Sequence, residues 1–314
     1  MQDKYFTQRG DRPDLAALPV NADGFIADRI LPVTTVTEKS GTVYHMAPIA
    51  DKDAQEDRAA GAGPTGVQIA STSKAYVAAE ICERGKVTPD EAKQMGGVEK
   101  ADEVGAKFAK RTVLRTVEKK VRLAVMGGVK NFTVDPAKVQ VQINTALDAM
   151  ELYHGRSVMI ASKKVIKALF MQTLTGKAGT ALCRIVTGTN SMEAAKGLSF
   201  QAWVEAMKVY FDVDDVLVGA NDIWNPSATA GRFTIAKIDE GIDELSHKYL
   251  PILGKQFRFM PDPGQIFQVR SIPDDVNNNN LYDAYVWNHA LIMNSGAFQI
   301  FDGVDTSTAE AMPQ

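Results

Sequence analysis

The stretch VEKADEVGAKFAKRTVLRTVEKKVRLAVM, residues 98–126, predicts one long amphipathic helix. Acidic residues lie near its start and basic residues crowd its end, an order that suits the helix dipole. At about 1.5 Å per residue the helix would be about 43 Å long, more than is needed to cover one face of a compact domain. Its apolar positions recur at loose spacings of three and four and are expected to face the core: Ala101, Val104, Phe108, Val117, Val121 and Ala124.

Start and stop signals bound this helix on both sides. Thr88, Pro89 and Glu91 fit the N-cap, first and third positions of a capping box, which predicts a short helix to about Met95. A glycine pair at 96–97 separates that helix from the long one, and a second pair at 127–128 ends the long helix.

The residues upstream predict an arm. Residues 1–28 are polar with only short apolar pieces, and we expect an extended arm with little structure of its own. Strand patterns at 30–36 and 42–48 flank the turn-forming residues 38–41 and predict a β-hairpin. A charged run at 51–58 and a glycine-rich run at 59–66 follow, before strand patterns at 67–70 and 75–82. Segment 31–82 is therefore expected to form a long β-arm with a charged tip.

The rest of the chain alternates between helix and strand patterns. Helices are predicted at about 135–154, 163–172 and 199–209, and short buried strands at 157–161 and 213–218. From 232 onward the pattern is mostly β, clearest at 265–272, 281–293 and 297–301. The predicted fold class is α+β, with helices flanking a central sheet.

Composition sets further bounds. The 314 residues, 45% of them hydrophobic and 23% charged, allow one large or two ordinary domains. A net charge of −3 gives no electrostatic support for sequence-specific nucleic-acid binding. The polar N-terminus is unlike a signal peptide, and no apolar window reaches the roughly 18 residues of a membrane span. Cys82 and Cys183 lack any metal-binding or redox spacing; both are expected to be small buried residues in a protein of a reducing compartment.

No short motif indicates a catalytic, cofactor or metal site. The sequence GAGPTG at 61–66 matches a dinucleotide-binding pattern in letters, but a charged run precedes it and no helix follows. TGKA at 175–178 lacks both the first glycine and the hydroxyl residue of a phosphate loop. The four histidines share no metal-ligand spacing, and the aspartates 212, 214 and 215 fit a solvated turn. Because many enzymes lack short signatures, a soluble α+β enzyme stays open as an alternative.

A series of segments resembles the major capsid proteins of tailed bacteriophages. GFIADRILPV at 24–33 and SGTVY at 40–44 are similar to the opening of that family. VLVGANDIWN at 216–225 is similar to a segment that follows a helix in those proteins, and VRS at 269–271 and AFQIF at 297–301 match later strands. The order and spacing agree over essentially the whole chain, and the resemblance rests on the series of segments taken together.

The resemblance implies the Hong Kong 97 capsid fold and a division of the chain. Residues 1–30 would be an N-terminal arm draped over a neighbouring subunit, and 31–82 the extended E-loop hairpin. Residues 83–135 would form the peripheral domain with 98–126 as its spine helix. Residues 136–264 would form the axial domain, and 265–314 the strands that return to the peripheral and axial sheets.

The implied function is structural: a major capsid protein, not an enzyme and without cofactor or metal, that assembles into an icosahedral shell around double-stranded DNA. Its partners would be copies of itself in hexamers and pentamers, a portal, and a separate scaffolding protein, because the chain starts at Met1 with a short arm. DNA would be held only non-specifically, decoration proteins remain open, and no membrane is involved. The protein would be assembled in the host cytoplasm and reside in the virion. An encapsulin-like compartment shell is the alternative within this fold.

The expected contacts between subunits lie in the arm, the E-loop tip and the segment at 216–225. The candidate residues are Phe25, Asp51, Lys52, Asp53, Glu56, Asp57, Arg58 and Trp224.

Overall fold

A computed structural model describes residues 7–20, 24–48, 71–176, 179–225, 227, 230–239, 246–261, 264–274, 276, 277 and 279–307. The elements of the first half are β1 Gly10–Asp11, α1 Pro13–Ala17, α2 Ala27–Ile30, β2 Val33–Val36, β3 Ser40–Met46, β4 Ser71–Val77, β5 Ala79–Val87, α3 Pro89–Gln94, α4 Val98–Met126, β6 Phe132–Thr133 and α5 Val139–Ala149. Those of the second half are β7 Arg156–Ser162, α6 Lys163–Thr175, α7 Gly179–Thr187, α8 Met192–Lys196, α9 Phe200–Phe211, β8 Asp215–Gly219, α10 Asn221–Trp224, β9 Ala230–Ile238, α11 Ser246–Tyr249, β10 Gly254–Phe259, β11 Gln268–Asp274, β12 Asn279–Ile292 and β13 Phe298–Asp305.

The first sheet is built around β12, a strand of 14 residues. Strands β5, β10 and β11 all pair with β12 in antiparallel fashion. At the ends of the sheet, β1 pairs with β11, and β2 runs parallel to β10. The long helix α4 packs on this sheet through β5 and β12. Residues from both ends of the chain therefore meet in one sheet.

The predicted hairpin between 30–36 and 42–48 is wrong in its pairing. Both strands exist, but β2 pairs with β10 through contacts such as Val33 with Gln256. Strand β3 pairs instead with β4 over seven residue pairs, from Ser40 opposite Val77 to Met46 opposite Ser71. The predicted turn at 38–41 does not form, because Ser40 and Gly41 already belong to β3. Strand β2 instead pairs in parallel with the edge of β10. The expected arm 31–82 is thus divided, since β2 and β5 belong to the first sheet.

The second sheet has the strand order β6-β13-β9-β7-β8. Helices α5, α6 and α9 pack against it around the largest apolar core, which includes Phe170, Trp203 and Phe233. Strand β10 falls in the range 136–264 but lies in the first sheet, and β13, from 265–314, lies in the second. Strands on either side of residue 264 therefore contribute to both sheets, because strand pairing here is between residues distant in sequence.

Helix α4 has the predicted bounds, 98–126, and the capping box before α3 is present. Its predicted core face is partly wrong: Val104 and Phe108 are 47% and 62% exposed. The reason is a close approach of helix and sheet at small residues. A Cβ atom on Gly105 would lie 2.2 Å from the ring of Tyr282, and one on Gly85 would lie 2.3 Å from the carbonyl oxygen of Gly105. Glycine is therefore required at both positions. Because the side of α4 that carries Gly105 faces the sheet, Val104 and Phe108 point away from the sheet and towards solvent.

The N-terminal residues are more structured than the sequence predicts. Helices α1 and α2 both pack on α4, and Leu15, Ile30 and Leu31 are buried. Within residues 1–28, the expectation of an extended arm with little structure of its own is therefore corrected at α1 and at the start of α2, because their few apolar side chains pack against the apolar surface of α4. Cys183 is buried as expected, whereas Cys82 is exposed on β5. None of the described helices has the length and apolar character needed to cross a membrane.

Candidate functional site

Three charged residues lie on the buried face of α4 and define the candidate site. Asp102, Lys110 and Glu118 are 4%, 0% and 0% exposed. They are eight residues apart, which is about 12 Å along a helix axis. Buried charges are costly unless hydrogen bonds compensate them, so the partners of these three side chains are informative. All three contact one segment, residues 10–20 and 24–31, which we call the N-terminal strap.

Asp102 holds the beginning of the strap. Its Oδ2 accepts a hydrogen bond from Nη1 of Arg12 at 2.8 Å, and its Oδ1 accepts one from the hydroxyl of Tyr282 at 2.6 Å. Burial, together with the hydrogen bond to Asp102, raises the pKa of Tyr282 well above its ordinary value, so the phenol keeps its proton and remains a donor. Arg12 also pairs with Asp14, and β1 joins the strap to β11.

Lys110 holds the end of α1. Its Nζ donates to the carbonyl oxygens of Leu15, Ala16 and Leu18 at 3.0, 2.9 and 2.5 Å. A protonated lysine has three donors, and here each has an acceptor. These carbonyls lie at the C-terminal end of a short helix, where backbone acceptors lack partners within the helix and a cation is favourable. Burial lowers the pKa of Lys110 to about 8.

Glu118 binds the start of α2 and the end of α10. Its Oε1 accepts hydrogen bonds from the backbone N–H of Ile26 at 3.0 Å and from the indole N–H of Trp224 at 2.6 Å. Its Oε2 accepts one from the backbone N–H of Ala27 at 2.8 Å. Burial raises the pKa of Glu118, and the three N–H donors act in the opposite direction. One carboxylate thus ties three helices together.

Trp224 does not fit its predicted place at a subunit contact. Its side chain is 1% exposed and is packed in the core beneath α4 with Ile223 and Leu217. A large aromatic residue with its N–H bonded to a buried carboxylate is anchored inside the chain, so the prediction of a direct contact is corrected. Gly219 allows this packing, because a Cβ atom there would lie 2.1 Å from the Trp224 ring.

The other predicted contact residues fall in two groups. Phe25 is half-buried beside α4 and lines an open depression on the surface. The charged residues of the E-loop tip lie outside the described residues: Asp51, Lys52, Asp53, Glu56, Asp57 and Arg58.

The β3–β4 ribbon projects its own set of exposed residues. Tyr44 and Val77 are 62% and 58% exposed on one face. The other face is fixed to the body: Tyr76 stacks on Phe257 at a centroid distance of 4.7 Å, and Nζ of Lys74 donates to the carbonyls of residues 292 and 293 at 3.0 and 2.9 Å. One face of the ribbon is therefore held against the body of the protein, and the other face exposes the apolar side chains of Tyr44 and Val77.

Three of the acidic and histidine residues that were considered as metal ligands have structural partners instead. Asp214 accepts a hydrogen bond from the backbone N–H of Ser157 at 2.7 Å, and Asp215 pairs with Arg29 at 2.9 Å. His45 is hydrogen-bonded to Thr72 at 2.8 Å. Within the part of the chain that the structure describes, no three His, Cys, Asp or Glu side chains are grouped as metal ligands.

Asp102, Lys110 and Glu118 were not among the predicted site residues. In the sequence they look like the solvated charges of an amphipathic helix. One feature of the sequence could have indicated their burial: each directly follows a buried position of the helical repeat. Asp102 follows Ala101, for example, and Glu118 follows Val117.

Comparison with known proteins identifies solved structures that have a similar fold. No protein-family profile and no curated protein matches the sequence. A phage-related protein from Bordetella bronchiseptica RB50 is similar in structure, with a TM-score of 0.61, 14% identity, and coverage of 94% of this chain and 97% of that one. The capsid of cyanophage P-SCSP1u gives a TM-score of 0.53 at 9% identity, with 91% and 90% covered. The SrpI encapsulin of Synechococcus elongatus PCC 7942 gives 0.50 at 10% identity, with 93% and 92% covered.

These similarities extend over nearly the whole chain. At such low identities they concern the fold, and the predicted α+β fold of phage capsid proteins is confirmed.

Proposed function

We propose that this chain is the major capsid protein of a tailed bacteriophage and assembles into an icosahedral shell around double-stranded DNA. The observation that carries the proposal is the shared fold over more than nine-tenths of the chain with a phage-related protein and a phage capsid. The capsid-like order of segments in the sequence supports it independently, since that resemblance rests on the residues alone.

The parts of the chain take the roles expected of a shell subunit. Residues 1–30 act as the N-terminal arm, with the strap as its base, and 31–82 as the E-loop, of which the β3–β4 ribbon is the part described outside the first sheet. Helix α4 is the spine helix of the peripheral domain 83–135, and 136–264 supply the axial domain. The strands within 265–314 complete both sheets. Each subunit contacts its neighbours through several modest surfaces, and closed symmetry multiplies their effect.

The ribbon supports a contact with an adjacent subunit. Tyr44 and Val77 expose apolar surface on a seated ribbon, and burying such surface contributes about 25 cal/mol per Å². The charged residues at 51–58 would add ion pairs, each worth about 0–1 kcal/mol when exposed. Weak individual contacts suit a shell, because assembly remains reversible until many contacts form together.

The partners follow from this role. The subunit would bind copies of itself in hexamers and pentamers, a separate scaffolding protein and a portal, with packaged DNA held without sequence preference. It would be assembled in the host cytoplasm, reside in the virion and act without catalysis. Purified subunits that form shells of correct size alone would contradict the need for a scaffolding protein.

Deletion of residues 50–66 tests the role of the E-loop. Met46 and Ser71 are directly paired, so residues 47–49 and 67–70 can still close the ribbon as a short loop. We expect a folded subunit with an unchanged thermal transition that no longer forms shells in negative-stain electron microscopy. Shells of normal appearance would show that the E-loop assignment is wrong.

An encapsulin-like shell is the second candidate, because the SrpI encapsulin shares the fold over 93% of this chain. The two functions differ in what the particle contains. Nuclease-protected double-stranded DNA in purified particles is expected for the capsid, whereas particles filled with a single co-purifying protein and no protected DNA would favour the encapsulin.

A further inference from the structure

The outward face of α4 carries an open depression that the strap does not fill. It has a volume of about 460 Å³ and lies between the approach to α2, the exposed face of α4 and α10. Its lining includes the apolar residues Phe25, Phe108 and Ile223, which we call its floor, and the charged residues Arg111, Arg115 and Asp222, which we call its rim. We call it the α4 groove.

The apolar part of the groove is larger than a single exposed side chain. Phe108 is 62% exposed, and Val104, one turn earlier on the same helix, is 47% exposed. Residues four apart lie side by side on a helix surface, so these two form a continuous apolar strip that leads into the depression. Contiguous exposed apolar surface bordered by polar residues is typical of a binding site.

The rim of the groove is positively charged. Arg115 is paired with Asp222, but Arg111 has no ion pair among the described residues. Lys107, which pairs with Glu103, and Lys119 continue the same row of cations along the helix, at four-residue spacing. A ligand that covers the floor would therefore meet an excess of positive charge at its edge.

We propose that the α4 groove docks an acidic amphipathic helix of another protein. An apolar strip beside a row of cations is complementary to a helix with leucine or aromatic residues on one face and glutamate or aspartate beside them. Duplex DNA would use the cations but leave the floor of Phe25 and Phe108 exposed to water. A self-complementary contact between two copies would bring the arginines of both grooves together.

The inference goes beyond the proposed function and does not depend on shell assembly, because it concerns a site on the single subunit. Its test uses a fluorescent helical peptide of about sixteen residues, with leucine at spacings of three and four and glutamate beside them. Binding to the full-length protein is measured by fluorescence anisotropy. A peptide of the same composition in scrambled order, a leucine–lysine peptide and a labelled DNA duplex serve as comparisons.

We expect the acidic amphipathic peptide to bind more tightly than the three comparison probes. Phe108→Ser and Arg111→Glu should each weaken its binding about tenfold or more, the effect of removing a central contact. Leu123→Ser, on the same exposed face but outside the groove, and Lys138→Glu, an exposed cation at the start of α5, are matched controls and should change binding far less. The four variants should keep the wild-type thermal transition, because all four side chains are exposed.

Three outcomes would overturn the proposal. The first is an acidic peptide that binds no better than its scrambled version, or whose binding is unchanged in Phe108→Ser and Arg111→Glu. The second is a duplex that binds more tightly than the peptide and is insensitive to Phe108→Ser, which would assign the face to DNA. The third is self-association of the wild-type subunit in sedimentation velocity that Phe108→Ser abolishes, which would assign it to a second copy.

Discussion

Replacing Glu118 with glutamine removes one charge and almost no volume, so it tests the strap with little change in packing. In the wild type, both carboxylate oxygens accept hydrogen bonds, and the three donors are the N–H groups of Ile26, Ala27 and Trp224. Glutamine has one acceptor oxygen and an NH₂ group. In either amide orientation, the NH₂ group must face at least one N–H donor, which loses its acceptor.

The magnitude follows from these contacts. A buried donor without an acceptor costs about 1–3 kcal/mol, and hydrogen bonds to a neutral oxygen are about half as strong as those to a carboxylate. Removing a buried charge offsets part of this cost. We therefore expect Glu118→Gln to lower the free energy of unfolding by about 2–4 kcal/mol.

Urea denaturation followed by circular dichroism measures the change, and hydrogen exchange at residues 24–31 shows whether the strap opens first. Glu103→Gln is the matched control, because Glu103 lies on the exposed face of the same helix and, among the residues that the structure describes, pairs only with Lys107. It should change stability by less than about 0.5 kcal/mol. A Glu118→Gln variant as stable as the wild type would refute the reasoning, since the burial penalty would then outweigh the three hydrogen bonds.

Two further predictions concern α4. The folded-state pKa of Lys110, about 8, lies below its ordinary value of 10.5, so between these pH values the unfolded chain binds the proton more tightly and stability should rise with pH. The raised pKa values of Tyr282 and Tyr285 act in the opposite direction near pH 10, so the slope is taken as the difference between the wild type and Lys110→Met in urea titrations from pH 8 to 10.5, at most about 1.4 kcal/mol per pH unit for one proton; equal slopes would contradict it. Gly105→Ala should destabilise the fold by about 1–3 kcal/mol in the same assay, because its Cβ would meet the buried ring of Tyr282. Gly197→Ala is the control, since its Cβ would have only ordinary contacts, and equal stability of the two variants would argue against the close approach.

Local signals predicted the helices well. The capping box at Thr88 and the glycine pairs around α4 act within a few residues, so the bounds of α4 could be derived before the fold was known. The face that α4 buries could not, because it depends on the close approach of Gly105 to Tyr282, and those residues are far apart in sequence.

The pairing of strands and the roles of single residues depend on distant contacts. Nothing near β2 in the sequence indicates that it lies beside β10. Asp102, Lys110 and Glu118 resemble surface charges until the strap is placed over them. Trp224 was expected at a contact between subunits because it stands in a capsid-like segment, but the carboxylate of Glu118 holds it inside the chain.

The most direct test of the proposed function is electron microscopy of the 314-residue chain, expressed alone and together with a candidate scaffolding protein, with sedimentation velocity on the same samples. We predict closed shells of uniform diameter when the scaffolding protein is present. A homogeneous monomer under every condition would contradict the assignment of this chain as a shell subunit.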